Sequence, residues 1–333
     1  MTESVHPRAE LGTWPTPLEA VPRLARALGL GATDLWVKRD DLTGLGGGGN
    51  KVRKLEWICG AALAAGADTL ITCGARQSNH ARLTAAAGAR LGLDVVLVLA
   101  GNEDDPGGGN IALDGLLGAR VVWAGQVPHE ALEPLARAVA EQLRREGSRP
   151  ELVPYGGSSV LGARGYVECG VELTKQAPDL STIVVAVGSG GTMAGLVCAL
   201  GAQRVLGIDT GAMVEPGLAV AELLGGLGGG LGGAPPDSGP LRIRSDQIGD
   251  GYASLTEPVM AAMTLVARSE GLILDPIYTG RAAAGLVRAV EEGEIRSGQQ
   301  TVLLHSGGLP GLFGHPPVID RAVAALAAFP LRT

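Results

Sequence analysis

Aromatic residues are scarce in this chain, at 3% of the sequence. Cysteine is rarer still, with Cys59, Cys73, Cys169 and Cys198 the full set. No two of them stand at CxxC spacing, and each sits among apolar or small neighbours. That argues against a disulfide frame or a zinc site and for reduced, buried cysteines of a cytoplasmic protein. The histidines are scattered and form no metal pattern. A net charge of -7 gives no reason to expect nucleic acid as a partner. Met1–Glu10 holds no apolar run, so no signal peptide is expected. The longest apolar stretch, near Ile183–Leu200, is interrupted by Gly188, Ser189, Gly190 and Gly191. It is too polar and kinked to span a membrane.

What remains is a chain of 333 residues, 46% hydrophobic and with 53 glycines. It is long enough for two lobes, each with a core. Short apolar runs alternate with helical patterns. Leu35–Lys38, Thr69–Cys73, Asp94–Ala100, Val121–Trp123, Glu151–Pro154, Thr182–Val187 and Val302–His305 read as strands. Val52–Ala65, Asn79–Leu91, Pro128–Glu146 and a segment from Thr192 read as helices. This alternation predicts an α/β protein with mostly parallel sheets flanked by helices. Leu224–Gly239, rich in glycine and carrying Pro235 and Pro236, reads as a flexible surface linker.

Five segments have the residue types that chemistry needs. In Gly46–Lys51 a glycine run permits close backbone approach to a ligand. Lys51 follows it at the mouth of a helix, where burial and the helix N-terminus lower an ammonium pKa and suit Schiff-base chemistry. Lys54 lies on the same helical face, within reach of an anion. In Cys73–His80 a strand, a turn and a helix starting near Ser78 or Asn79 leave backbone N–H groups free for a carboxylate, or serve simply as a helix cap. Val187–Thr192 is a strand-to-helix glycine loop fit for a phosphate. It lacks the P-loop lysine and the GxGxxG spacing, so a small cofactor's phosphate is favoured over a nucleotide. Asp275–Gly280 and His305–Gly308 each place hydroxyls beside glycine after an apolar run.

Taken together, these segments resemble the D-cysteine desulfhydrase and 1-aminocyclopropane-1-carboxylate deaminase family. The likeness rests on Lys38–Thr43, Gly48–Glu56, Gln77–His80, Pro15–Glu19, Pro154–Ser158, Leu161–Ala163, Ser189–Thr192, Asp275–Gly280 and Ser306–Gly308, in the family's order over nearly the whole chain. It implies a two-lobed, tryptophan-synthase-β-like fold holding pyridoxal 5'-phosphate between the lobes. Residues 1–53 and 162–333 would form the large lobe and 54–161 the small one, in a homodimer. It also implies roles. Lys51 would be the Schiff-base lysine. Asn79 would bond the cofactor's phenolic oxygen. Gly188, Ser189, Gly190, Gly191 and Thr192 would hold its phosphate, with Lys54 assisting. Ser78, Asn79 and His80 would receive the substrate carboxylate, and Tyr252 and Tyr278 would be the active-site tyrosines. Ser306, or else Thr279, would face the pyridine nitrogen. A hydroxyl there leaves that nitrogen largely unprotonated, which suits prompt loss of a β-substituent.

Within this family the deaminases carry Glu after the second tyrosine and Leu before the late Gly-Gly. Here those positions are Thr279 and Ser306, which points to β-elimination from a small amino acid, D-cysteine foremost. Arg76 raises an alternative, since an arginine near the site could pair with the sulfonate of L-cysteate. D-serine or another β-substituted alanine, and 1-aminocyclopropane-1-carboxylate, are further substrate readings. A non-catalytic cofactor-binding protein is the reading from another class.

Overall fold

Runs of branched aliphatic residues set the strands. The segment Asp94–Leu99 alternates nothing: after Asp94 every side chain is buried, as is all of Thr69–Gly74. Strands apolar on both faces belong in parallel sheets covered on both sides. The computed structural model, which describes residues 7–105, 107–230 and 239–328, has two such sheets.

The chain opens with β1 (Leu18–Ala20), α1 (Pro22–Ala27), β2 (Leu35–Lys38) and α2 (Lys51–Ala64). Next come β3 (Thr69–Gly74), α3 (Asn79–Leu91), β4 (Asp94–Leu99), α4 (Asn110–Leu116), β5 (Arg120–Trp123), α5 (Leu132–Arg145) and β6 (Pro150–Leu152). Then follow α6 (Val160–Gln176), β7 (Leu180–Val187), α7 (Gly191–Leu200), β8 (Val205–Asp209), α8 (Pro216–Gly230) and β9 (Arg242–Arg244). The last are α9 (Glu257–Glu270), α10 (Thr279–Glu291), β10 (Gln300–Leu304), α11 (Leu309–Phe313) and α12 (Pro316–Ala324).

One sheet has four strands in the order β5-β4-β3-β6, all parallel. The other has six in the order β1-β2-β10-β7-β8-β9, parallel except for β1 against β2. The carboxyl ends of β3 and β7 lead into the glycine-containing turns before α3 and α7, where ligands collect in open α/β sheets.

Helix α2 buries the charged side chains of Arg53, Lys54 and Glu56. Arg53 clasps the fully buried Asp40 through Nε (2.8 Å) and Nη2 (2.9 Å) and also reaches Glu172 on α6. Glu172 in turn takes Lys38 at 2.8 Å, and Tyr166 donates to Asp40 at 2.5 Å. Burial alone would raise the Asp40 carboxyl, but the Arg53 guanidinium holds it below its usual range. Glycines permit this packing. A Cβ on Gly165 of α6 would lie 2.2 Å from the Arg53 carbonyl, and one on Gly195 of α7 would lie 2.4 Å from the Ala163 carbonyl.

Two sequence expectations need correction. Pro128–Glu146 is not one helix: a short 3-10 turn at His129–Ala131 precedes α5. Pro134 has no N–H, a loss tolerated only in a helix's first turn, so α5 starts at Leu132. Nor is all of Leu224–Gly239 a linker. Helix α8 continues to Gly230, because burial of Val220 and Leu227 outweighs the poor helix propensity of its glycines. Residues 231–238, with Pro235 and Pro236, lie outside the described residues.

Candidate active site

The glycine run before α2 is a tight turn. Gly46, Gly47, Gly48 and Gly49 all have positive φ, and a Cβ on Gly48 would sit 1.9 Å from the Asp41 carbonyl. Thr43 Oγ1 accepts from the Gly49 N–H at 2.8 Å. Arg82, fully buried on α3, donates Nη1 to the carbonyls of Gly46 and Gly48. The turn delivers Lys51 into a cleft between the two sheets. Lys51, Lys54, Ser78, Asn79, His80, Gly188, Ser189, Gly190, Thr192, Tyr252, Tyr278 and Ser306 all line it. The structure therefore brings together residues from six separated segments of the chain.

Burial pulls the Lys51 amine down to about 8. Lys54, 1% exposed, is also driven well below its ordinary value, by burial first and then by the charge of Lys51. Among the described residues lining the cleft there is no carboxylate. Two lysines are thus held side by side without a counter-charge, an arrangement suited to anions.

Around Lys54 the hydroxyls converge. Ser158 Oγ accepts from Lys54 Nζ (3.0 Å) and from the Gly191 N–H (3.1 Å), and it bonds Ser189 Oγ at 2.7 Å. Asn50 donates to Thr192 Oγ1 at 3.1 Å. A Cβ on Gly191 would meet Ser158 Oγ at 2.7 Å and Lys54 Nζ at 3.0 Å. The start of α7 is therefore a cradle of N–H groups, hydroxyls and one ammonium, sized by a missing side chain and matched to a phosphate. Ser158 and Asn50 were not singled out as site residues by sequence. Both stand inside the motif segments, beside residues that were.

Opposite lies the start of α3. Ser78 caps it, accepting from the Ala81 N–H at 3.1 Å, so Asn79 and His80 supply the first N–H groups of the helix. Thr72 donates its single proton to the Val153 carbonyl at 3.0 Å, so it accepts from His80 Nε2 at 2.9 Å. His80 Nδ1 is then an acceptor, without a partner, in a ring kept neutral by burial and by Lys51 and Lys54. The ring cannot hold a carboxylate, so only the backbone N–H of His80 fits that role. Asn79 is fixed by Asn110 on α4, whose Nδ2 donates to Asn79 Oδ1 at 3.0 Å. That leaves the Asn79 amide N–H₂ as a donor.

On the third side, Tyr252 and Tyr278 share a hydrogen bond of 2.6 Å, their rings at 70°. Burial raises both phenols, that of Tyr278 well above its ordinary value. Asp275 ties down the turn before α10, accepting from the N–H groups of Ile277, Tyr278 and Thr279. Arg281, fully buried, donates to the carbonyls of Thr210, Gly251 and Ser254 and so fixes the loop carrying Tyr252. Tyr155 completes this wall.

Thr279 departs from expectation. Its hydroxyl donates to Asp275 Oδ1 at 2.7 Å and accepts from the Asp275 N–H at 2.8 Å, and it does not line the cleft. It is an anchor of the turn, and Ser306 is the late hydroxyl residue that lines the cleft. Arg76 is occupied elsewhere. Its guanidinium donates to the carbonyls of Asn102 (2.5 Å) and Asp105 (2.6 Å) and lies 4.5 Å from the Trp123 ring centroid. It does not line the cleft.

A family model described as "Pyridoxal-phosphate dependent enzyme" matches residues 9–307. The chain belongs to this family. It is 40% identical to the D-cysteine desulfhydrase of Klebsiella pneumoniae over 327 residues, covering 93% of this chain and 97% of that one. It is also 40% identical to a putative 1-aminocyclopropane-1-carboxylate deaminase of Pyrococcus horikoshii over 313 residues, 92% and 93% of the two chains. A crystal structure described as an ACC deaminase homologue superposes with a TM-score of 0.86 at 37% identity, covering 95% and 96%. The fold is accordingly the tryptophan-synthase-β-like fold, and the cofactor is pyridoxal phosphate. Among the described residues no helix is long and apolar enough to cross a membrane, and no group of side chains could hold a metal.

The cleft fits the cofactor on its own chemistry. It offers a depressed-pKa lysine for an aldehyde, a cationic cradle for a phosphate, an amide donor at Asn79 for a phenolic oxygen and a hydroxyl at Ser306 for a ring nitrogen.

Proposed function

We propose that this protein is a lyase that removes the β-substituent of a small amino acid, with D-cysteine its substrate: D-cysteine and water yield pyruvate, ammonia and hydrogen sulfide. The observation that carries the reading is Ser306. It lines the cleft together with Lys51, Tyr252 and Tyr278, at the position where the deaminase branch has leucine. The D-cysteine desulfhydrases named among the relatives support the same reading.

When bound, pyridoxal phosphate supplies an electron-accepting ring that acidifies the substrate Cα–H. Lys51 holds the cofactor, and its amine, once free, takes the Cα proton; burial that brings it to about 8 suits a base working near neutrality. The Gly188–Thr192 turn, Lys54, Ser158 and Ser189 hold the phosphate. Asn79 donates to the phenolic oxygen, and Ser306 meets the ring nitrogen. The N–H groups of Asn79 and His80, with the Ser78 hydroxyl, hold the substrate carboxylate and so fix which Cα substituent faces Lys51. Tyr252 and Tyr278 face the departing sulfur, and their shared proton is available to the thiolate; the raised phenols keep that proton in place until it is needed.

The L-cysteate reading loses its support, because Arg76 is committed to Asn102, Asp105 and Trp123. The same reading includes lobes of 1–53 with 162–333 and of 54–161, a homodimer, and a cytoplasmic location. All strands of the four-stranded sheet fall inside 54–161, and Cys59, Cys73, Cys169 and Cys198 are free and buried, in keeping with a reducing compartment.

The test is keto-acid release from D-cysteine, L-cysteine, L-cysteate, D-serine and 1-aminocyclopropane-1-carboxylate. Pyruvate and sulfide from D-cysteine, at the highest kcat/KM of the panel, is the expected result. 2-Oxobutyrate from the cyclopropane as the dominant product would move the chain to the deaminase branch.

A further inference from the structure

Helix α4 turns a buried polar face towards α3. Asn110 and Asp114, four residues apart on α4, are 0% and 1% exposed, and residues at that spacing share a face. Asn79 and Arg82, three apart, share a face of α3 in the same way. Asn110 Nδ2 joins the two helices at their starts through Asn79 Oδ1, at 3.0 Å. One turn further along each, the charges of Arg82 and Asp114 act on one another.

This second pair is coupled by charge and not by a hydrogen bond. Among the described residues, neither carboxylate oxygen of Asp114 has a hydrogen-bond partner, and neither do Nε and Nη2 of Arg82. A carboxylate that caps no helix and bridges no donor contributes its charge. Burial raises the Asp114 carboxyl to about 7 and brings the Arg82 guanidinium down to about 10, and each group opposes the other's shift. A buried charge is costly without an opposite one nearby.

Arg82 in turn holds the glycine turn, through Nη1 to the carbonyls of Gly46 and Gly48. Gly46, Gly47, Gly48 and Gly49 all have positive φ. Four successive glycines form backbone that does little to hold itself, so groups outside the turn must fix it. The turn sets two parts of the cleft at once. It leads directly into Lys51 at the start of α2, and the Asn50 N–H donates to the Ser306 carbonyl at 2.9 Å. A Cβ on Gly307 would lie 2.7 Å from Gly49 Cα. A shift of the turn therefore moves Lys51 and Ser306 together.

We infer that Asp114 is a positioning residue of the active site: its carboxylate keeps the Arg82 guanidinium at the two glycine carbonyls, and so fixes the turn that places Lys51 and Ser306. The inference rests on the reading that these two residues meet the cofactor. Without the Asp114 charge the guanidinium is buried uncompensated, and leaving the carbonyls for water relieves that cost. Losing one charge-assisted hydrogen bond loosens the local structure by roughly tenfold or more.

The experiment compares the cofactor-loaded parent with Asp114→Asn, which keeps the size of the side chain, with Arg82→Gln and with the double variant. Hydrogen exchange read by mass spectrometry follows the amides of Gly48, Gly49 and Asn50, each hydrogen-bonded in the turn. Visible circular dichroism follows the seating of the cofactor ring, and kcat and KM are measured on the best substrate of the panel above. In Asp114→Asn the turn should exchange roughly tenfold faster, with α5 and α9 unchanged. The visible dichroism should weaken, and kcat should fall with KM within twofold. The double variant should exchange no faster than Arg82→Gln, because Asp114 acts through Arg82. If Asp114→Asn does not fold, folding of the double variant upholds the coupling and its failure to fold overturns it. Parent-like exchange and dichroism in Asp114→Asn overturn the inference. So does faster exchange throughout the protein, which would make the role structural, and so does an effect of Asp114→Asn that adds to that of Arg82→Gln. Borohydride reduction of the parent reads the underlying site: attachment away from Lys51 overturns that reading and the positioning role with it, whereas attachment at Lys51 with a parent-like turn in Asp114→Asn sinks the positioning role alone.

Discussion

Replacing Gly191 with alanine separates cofactor binding from folding. Gly191 is the first residue of α7 and its φ is not in the left-handed region, so alanine suits the backbone and improves helix propensity by about 1 kcal/mol. The added Cβ, however, would come within 2.7 Å of Ser158 Oγ and 3.0 Å of Lys54 Nζ. Ser158 has to turn away, which breaks its bonds to Lys54, Ser189 and the Gly191 N–H. Loss of one charge-assisted hydrogen bond to the phosphate costs about 1.5–3 kcal/mol, roughly 10- to 150-fold in cofactor affinity. The assay is equilibrium titration of the cofactor-free protein with pyridoxal phosphate, followed by absorbance, beside thermal melts without cofactor. The expected outcome is weakened binding in a variant whose cofactor-free melting temperature is unchanged or raised. Parent-like affinity would show that the phosphate does not sit at the start of α7. A lowered cofactor-free melting temperature would show that the clash is structural.

Three further outcomes follow from the same geometry. Asp40→Asn leaves the buried Arg53 guanidinium without its carboxylate and should lower the unfolding free energy in denaturant titrations by about 3–5 kcal/mol; a loss below 1 kcal/mol would mean that Glu172 alone suffices for Arg53. In the cofactor-free protein, Lys51 has a folded pKa near 8, below its ordinary value of 10.5, so its charge penalises the fold fully below pH 8 and the penalty is relieved as pH rises from 8 towards 10.5. Sulfate, whose own charge is constant there, should therefore raise the melting temperature more at pH 7 than at pH 9.5, and an equal rise at both would contradict a titrating cation cradle. Asn110→Ala removes the 3.0 Å bond that orients the Asn79 amide and should shift the visible absorption maximum of the bound cofactor with little change in melting temperature, whereas an unmoved spectrum would place Asn79 away from the ring.

Much of this was legible in the chain because local pattern and tertiary role coincide. The run after Asp94 is apolar because the strand is buried on both faces. The glycines at 46–49 mark a turn with positive φ that no other residue would take readily. Ser78 caps α3 as a serine ahead of a helical pattern should. What stayed hidden depends on direction, not residue type. Thr279 and Ser306 are both hydroxyls beside glycine, yet one turns back onto Asp275 and the other faces the cleft. Arg76 and Arg82 both stand near a cleft segment, and only the fold shows that the first grips the Asn102–Asp105 loop and the second the glycine turn. Arg281 and Asn110 lie on helices where a polar residue ordinarily reads as solvent-facing, although both are buried and position site residues. The helical turns of α8 in the glycine-rich segment come from core contacts that no local propensity records.

The central claim is that Lys51, and not its neighbour Lys54, carries the cofactor. Both amines line the cleft and both are depressed by burial, so the two are separable only by chemistry. Borohydride reduction of the cofactor-loaded protein, followed by peptide mapping by mass spectrometry, reads the attachment point directly. A single pyridoxyl modification on Lys51 is expected, absent from Lys51→Ala and retained in Lys54→Ala at saturating cofactor. Modification of Lys54 in the parent, or its persistence at full occupancy elsewhere in Lys51→Ala alongside normal turnover, would contradict it.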